Sequence, residues 1–280
     1  MRIDLHTHSN VSDGTMRPAE VITQAAAARL DVVALTDHDG LGGWDEAAAA
    51  ASTLPLRFVP GVELSCRWYA VKPSIPLHLL AYYVDPANGV LSAEMARVRE
   101  ARDRRGERIV ELINADGIDV TWAEVLQIAD GGTVGRPHVA QALVRRGVID
   151  TVGDAFVPSM LGQRWRVPKE DIDVFRALRL VLDAGGVPVF AHPRATNRGA
   201  VVPDSLIAEM AELGLFGLEA DHEDHTPGQR AQVRALAQDL GLVVTGSSDF
   251  HGSNKTVRLG AHLTDPDVFE QIEAAGRPPS

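Results

Sequence analysis

From residue 2 onward, short apolar runs alternate with amphipathic stretches of helical period, the pattern of βα units that feed a largely parallel sheet. Seven runs have the length and composition of strands: 2–6, 32–36, 57–62, 77–83, 187–191, 217–220 and 242–246. Helices are predicted between most of them. The clearest opens at Pro18, where proline in a first turn with Glu20 behind it leads into an alanine-rich stretch ending near Leu30.

The alternation breaks between Ser92 and about Arg166. Residues 93–114 carry dense mixed charge with Ile109, Leu112 and Ile113 on one helical face, and Asp116-Gly117 supplies a stop. Two further helices are predicted over 122–129 and 137–146, separated by Gly131-Gly132. The expected organisation is therefore α/β, with a barrel or sheet domain built from 1–91 and 167–276, a helical subdomain inserted at 92–166, and a frayed proline-rich tail at 277–280.

A chain of 280 residues accommodates one large α/β domain with such an insertion. No apolar run is long enough to span a bilayer, and the start of the chain lacks a secretory signal, so no membrane role and a cytoplasmic location are expected. The single cysteine, Cys66, excludes an internal disulfide and a thiolate-rich zinc site. The formal charge of −11 disfavours a broad nucleic-acid surface, which needs clustered Lys and Arg, while leaving room for a small anion held by local cations.

The chemistry lies at the strand ends. His6 and His8 alternate with Thr7 at the end of the first run, which puts both imidazoles on one side of the chain. An HxH pair alone is weak evidence for a metal. Repetition strengthens it: Asp13 follows in a turn, Asp37 and His38 end the second run, Glu63 ends the third, His78 lies within the fourth, His192 ends the fifth, and Asp249 and His251 follow the seventh. Reactive groups of βα barrels and open α/β sheets collect at this end of the strands. Imidazole and carboxylate without sulfur suit Mn²⁺, Zn²⁺ or Fe²⁺. Six histidines and the three carboxylates Asp13, Glu63 and Asp249 exceed the needs of one ion, so at least two are expected, with Glu63 as a bridge. Such clusters lower the pKa of a bound water and clamp the attacking and leaving oxygens of a hydrolysis.

Cations accompany these groups. Arg136 precedes Pro137 at a predicted helix start, where free N–H groups add to its attraction for phosphate. Arg194 and Arg198 follow His192, and Arg166 and Lys169 stand where the chain returns from the insertion. His222 follows the sixth run, placed to hydrogen-bond phosphate or to protonate a leaving oxygen. His138 and His225 are read as supporting residues, and His262 as surface or packing.

These segments, Asp4-Leu5-His6-Thr7-His8-Ser9, Ser12-Asp13-Gly14-Thr15, Thr36-Asp37-His38-Asp39, Gly61-Val62-Glu63, Ala191-His192-Pro193 and Ser248-Asp249-Phe250-His251, resemble the polymerase and histidinol phosphatase (PHP) family. Gly135-Arg136-Pro137-His138 and the helical insertion are similar to its stand-alone bacterial branch of 3′,5′-nucleoside bisphosphate phosphatases and 5′-to-3′ exoribonucleases. The resemblance implies a distorted seven-stranded (β/α)7 barrel and a metal-dependent phosphoesterase. It implies two to three divalent cations, Mn²⁺ first and Zn²⁺ or Fe²⁺ next. One would be surrounded by His6, His8, Glu63 and Asp249, a second by Asp13, His38 and His251, a third by Glu63, His78 and His192. Arg136 and His222 would grip phosphate with help from Arg194, and Arg136, His222 and Asp249 would carry catalysis. The implied partner is a small phosphorylated nucleotide, a 3′,5′-bisphosphate that loses its 3′-phosphate, with short RNA as a further substrate. Histidinol phosphate, a C–N bond, or no catalysis at all in a metal-binding regulatory module are the alternatives. Asp221 and Glu223 beside His222 depart from the branch pattern and would repel a polyanion unless turned away or paired.

Overall fold

The computed structural model describes residues 1–276, and the expected tail at 277–280 lies outside the described residues. The chain runs β1 (Ile3–Asp4), α1 (Pro18–Ala27), β2 (Val32–Leu35), α2 (Trp44–Ala51), β3 (Arg57–Trp68) and β4 (Ile75–Tyr82). Helices α3 (Gly89–Ala115), α4 (Trp122–Ala129) and α5 (Arg136–Arg145) follow. It continues through β5 (Ile172–Asp173), α6 (Val174–Asp183), β6 (Val187–Ala191), α7 (Asp204–Glu212), β7 (Gly217–Asp221), α8 (Pro227–Leu240), β8 (Val243–Gly246) and α9 (Pro266–Ala275). Strand order is β1-β2-β3-β4-β6-β7-β8, with the two-residue β5, which periodicity missed, paired to β3.

Side-chain alternation explains why the sheet curls. In β2, Val32 and Ala34 face an inner core shared with Ile3, Val59, Leu80, Tyr82 and Val189, while Val33 and Leu35 pack outward against Ile22 and Ala25 of α1 and Ala47 of α2. With both faces covered, such a strand is apolar throughout. The inner faces meet as in a barrel filled by side chains. Its first and last strands are joined by His8 N–H donating to the Phe250 carbonyl at 2.8 Å and Ser248 N–H to Asp4 Oδ1 at 3.0 Å. The result is the nearly closed, distorted seven-stranded barrel that the resemblance implied.

Two expectations about the strands need correction. The third strand does not end near Val62 but runs to Trp68, and β4 is antiparallel to both β3 and β6. A hairpin at residues 69–74 turns the chain back, so the beginning of β4 lies at the end of the barrel where the parallel strands finish. Hairpin and crossover strands share one period, so spacing alone does not reveal direction.

The first half of α3 buries Leu91, Met95 and Val98 in the barrel's outer core. Its second half begins a separate core, where Ile109, Val110 and Ile113 pack with Val125, Val139, Leu143, Leu161 and Trp165. No helix among the described residues is long and apolar enough to cross a membrane.

Candidate metal centre and substrate cavity

Buried polar residues shape the loops that deliver the site. Asp37, two residues after β2, accepts hydrogen bonds from Ser9 N–H at 2.8 Å and from the Ser9 and Ser12 hydroxyls at 2.6 Å each. It thereby fixes the loop between His8 and Asp13. His192 and Asp249 adopt left-handed backbone, with φ of 34° and 52°. Non-glycine residues adopt this region at some cost, and such positions cluster at functional sites.

Glu63 is the centre of the constellation. Its Oε2 lies 3.1 Å from His6 Nε2 and 3.0 Å from His8 Nε2, and those two nitrogens are 3.1 Å apart. Asp249 Oδ1 completes the group at 3.4 Å from each nitrogen. Donors bound about 2.1 Å from one ion stand roughly 3.0–3.4 Å from one another. These spacings therefore fit a shared divalent cation. The other oxygen, Glu63 Oε1, faces His78 Nδ1 at 2.8 Å and His192 Nε2 at 3.2 Å.

Asp13, His38 and His251 gather beside His8, with Asp13 Oδ1 3.2 Å from His251 Nε2 and Asp13 Oδ2 3.9 Å from His38 Nε2. His38 also presents Nδ1 to Glu63 Oε2 at 3.4 Å, so it borders two groups. Asp13 Oδ1, His38 Nδ1 and His78 Nδ1 are buried yet lack a hydrogen bond of good geometry despite these close approaches. Buried polar atoms are normally satisfied. Orphaned donor atoms aimed at common points are what divalent ions would satisfy. All nine residues expected as metal ligands thus meet at one end of the barrel. His78 reaches it from the first half of an antiparallel strand and Glu63 from the middle of a long one.

The charges are mutually dependent. Burial would raise the Glu63 carboxyl, but the surrounding His6, His38 and His78 hold it well below the ordinary range. Asp249 is likewise held low against burial by Lys255, His6, His251 and Arg198. Burial and the neighbouring Arg198 keep His192 well below the usual imidazole value, favouring the neutral ring that ligates metals.

Glu219 was not singled out from the sequence, although a lone carboxylate inside the apolar segment Leu218-Glu219-Ala220 was a visible signal. Fully buried, it places Oε1 3.0 Å from His6 Nδ1 and accepts the His192 N–H at 2.8 Å through Oε2. Carboxylates behind ligand histidines fix ring orientation in this way. His222 Nδ1 accepts the Asp224 N–H at 2.9 Å, which leaves its proton on Nε2, 3.1 Å from Asp249 Oδ2. His225 and His138 support the backbone: His225 bridges Ala220 O and Arg194 N–H, and His138 caps α5 by accepting the Gly135 N–H.

A cavity of about 470 Å³ opens from Asp13, His38, His78 and His251 and is lined by six cations: Arg102, Arg105, Arg136, Lys169, Arg198 and Lys255. In a chain of net charge −11, this concentration marks an anion pocket. Arg136, the first residue of α5, lies on its wall. Arg194 does not line it. Its guanidinium donates to Val202 O at 2.8 Å and pairs with Asp204, while Arg198 turns inward to Asp249 Oδ2 at 2.6 Å and His192 Nε2 at 3.0 Å. Lys255, which had no motif around it, reaches Asp249 Oδ2 at 2.5 Å.

The two unusual carboxylates also avoid this cavity. Asp221 is ion-paired with Arg234, and Glu223 faces His262 at 3.3 Å. Glu223 instead lines a smaller space of about 350 Å³ together with His222, Asp224 and Lys255.

Comparison with known proteins agrees with this geometry. The model of the PHP domain matches residues 4–119, the segment that carries His6, His8, Asp13, His38, Glu63 and His78. The chain is 32% identical to the 3′,5′-nucleoside bisphosphate phosphatase of Chromobacterium violaceum, over 96% of this chain and 94% of the relative. The chain belongs to the PHP family. It is also 30% identical to the 5′-3′ exoribonuclease Rnm of Salmonella typhimurium, over 96% of this chain and 92% of that protein. A crystal structure from Bifidobacterium adolescentis, provisionally described as a metal-dependent phosphoesterase, superposes with a TM-score of 0.92 at 36% identity, covering 99% of this chain and 96% of its own. This PHP chain is accordingly a metal-dependent phosphoesterase, and the barrel end gathers groups of His, Asp and Glu that could hold metal ions.

Proposed function

We propose that the protein hydrolyses phosphate monoesters of small nucleotides, with 3′,5′-nucleoside bisphosphates losing their 3′-phosphate as the principal substrates. The observation that carries this reading is the single cavity that joins metal-type donors at one end to six cations along its walls. One phosphate needs the donors and their ions, and a second phosphate needs the additional cations. The name of the Chromobacterium violaceum relative supports the same substrate class.

In this reading His6, His8, Glu63 and Asp249 hold one divalent ion, and Asp13, His38 and His251 a second. His78 and His192 would join Glu63 around a third, with Mn²⁺ the first choice for all of these ions and Zn²⁺ or Fe²⁺ next. When bound, such ions would supply an activated water and a positive field for the transferring phosphoryl group. Arg198 and Lys255 neutralise phosphoryl oxygens as charge builds on them. His222, which borders the smaller space beside Asp249, would present its Nε2 proton to the departing alcohol, its tautomer set by the Asp224 N–H. Arg102, Arg105, Arg136 and Lys169 hold the remote phosphate.

The test is phosphate release from adenosine 3′,5′-bisphosphate, with AMP as control, by protein supplied with Mn²⁺ and then stripped with chelator. Release from the bisphosphate that disappears on stripping is expected. No release while metal remains bound would overturn the substrate assignment.

A further inference from the structure

We infer that Phe156, with Arg136 over its ring, forms a nucleobase subsite in the cavity wall and makes the enzyme select nucleotides over sugar phosphates. This inference rests on the nucleotide reading above and adds the group that recognises the base.

Phe156 ends the short 3₁₀ helix Val152–Phe156. Its neighbour Ala155 is fully buried in the helical core, as are Leu161 and nearly all of Trp165, so this segment is anchored by apolar packing. Phe156 instead turns outward, 37% exposed, and lines the cavity with Val152, Gly153 and Pro137. A phenyl ring in the wall of a ligand cleft offers an apolar contact surface among otherwise polar groups. Apart from the histidines, it is the aromatic side chain of the cavity lining among the described residues.

The Arg136 guanidinium lies 5.2 Å from the Phe156 ring centroid, within cation–π range. Its hydrogen bonding is sparse, a single contact of 3.4 Å to Leu161 O. Arginine and phenylalanine together offer flat surfaces, and one of them is charged. A ligand that places an anion at the cationic wall and a flat aromatic group beyond it would use both. A nucleoside phosphate has that order of parts. Stacking is tolerant of base identity because every base has a π-face, so the subsite would accept purines and pyrimidines alike.

The experiment measures equilibrium binding of AMP and of ribose 5-phosphate, with Mn²⁺ present, to wild-type protein and to Phe156→Leu and Phe156→Trp. Leucine keeps apolar volume without a π-face; tryptophan restores the face. Wild type should bind AMP about tenfold or more tighter than ribose 5-phosphate, Phe156→Leu should bring the two within about twofold, and Phe156→Trp should recover the preference. Turnover of adenosine 3′,5′-bisphosphate by Phe156→Leu should show a raised KM with kcat nearly unchanged. Equal binding of the two ligands by wild type, retention of the preference in Phe156→Leu, or no recovery in Phe156→Trp would each overturn the inference. Binding does not depend on turnover. A wild-type protein that prefers AMP but releases no phosphate from the bisphosphate would refute the proposed reaction and leave the base subsite standing.

Discussion

His78 Nδ1 sits 2.8 Å from Glu63 Oε1 because β4 folds back along β3, pairing His78 with Ser65 and so bringing it beside Glu63. The opposite oxygen of Glu63 faces His6 and His8. One carboxylate therefore connects histidines from four separate parts of the barrel, counting His38 and His192. Glu63→Gln keeps the shape and removes the charge. It should lower bound divalent metal and kcat together, the latter by more than about a hundredfold, since even outer partners of metal ligands are worth 10–100-fold. Metal analysis alongside turnover checks this, and full activity with undiminished metal content would contradict it.

Glu219 gives a subtler test. Because it orients His6 and the His192 backbone without facing the cavity, Glu219→Gln should keep the fold by circular dichroism while weakening metal affinity about 10–100-fold. Competition with a chelator of known affinity measures the loss. Unchanged affinity would reduce Glu219 to a packing residue.

The two arginines after His192 should separate cleanly. Arg194→Ala removes the ties to Val202 and Asp204 and should lower stability by about 1–2 kcal/mol while kcat/KM changes little. Arg198→Ala removes a guanidinium beside Asp249 and His192 and should lower kcat/KM by about tenfold or more. Thermal unfolding and steady-state kinetics on both variants decide the matter; the reverse ranking would return the phosphate role to Arg194.

This pair also marks the limit of what the sequence reveals. His6, His8, His38, His192, Asp249 and His251 were legible because runs of apolar residues end just before them, and strand ends share one face of the barrel. Arg194 and Arg198 occupy the same loop, and which one turns inward depends on Asp204 capturing the first. Lys255 reaches Asp249 across a turn that has no periodic signature. The direction of β4 was hidden for a similar reason: alternation fixes which face a residue takes, but hydrogen-bond register fixes which neighbour it meets.

Lys169 supplies a pH prediction. Burial, reinforced by Arg102, Arg105 and Arg136 against the opposing Asp171, pushes its ammonium down to about 8. The cation is present below that value and is lost as pH rises through it. Binding of AMP should therefore weaken above about pH 8, with the midpoint displaced upward in the complex because a bound anion favours the charged form. Lys169→Arg keeps its charge through this range and should abolish that limb of the profile. Binding isotherms across the alkaline range provide the check, and an identical decline in both proteins would assign the effect elsewhere.

Between the end of β4 and the start of β5 the chain contributes Arg102, Arg105, Arg136, Phe156 and Lys169 to the cavity, yet none of the nine metal-type residues. On the proposed function, the reacting centre and the recognition surface are thus written in different stretches of one polypeptide. In the proposed reading, that division makes the stretch after the barrel-packed first half of α3 a natural cassette: exchanging it for another of equal span would re-address the same hydrolytic machinery to a different phosphoester without rewriting a single donor to the ions.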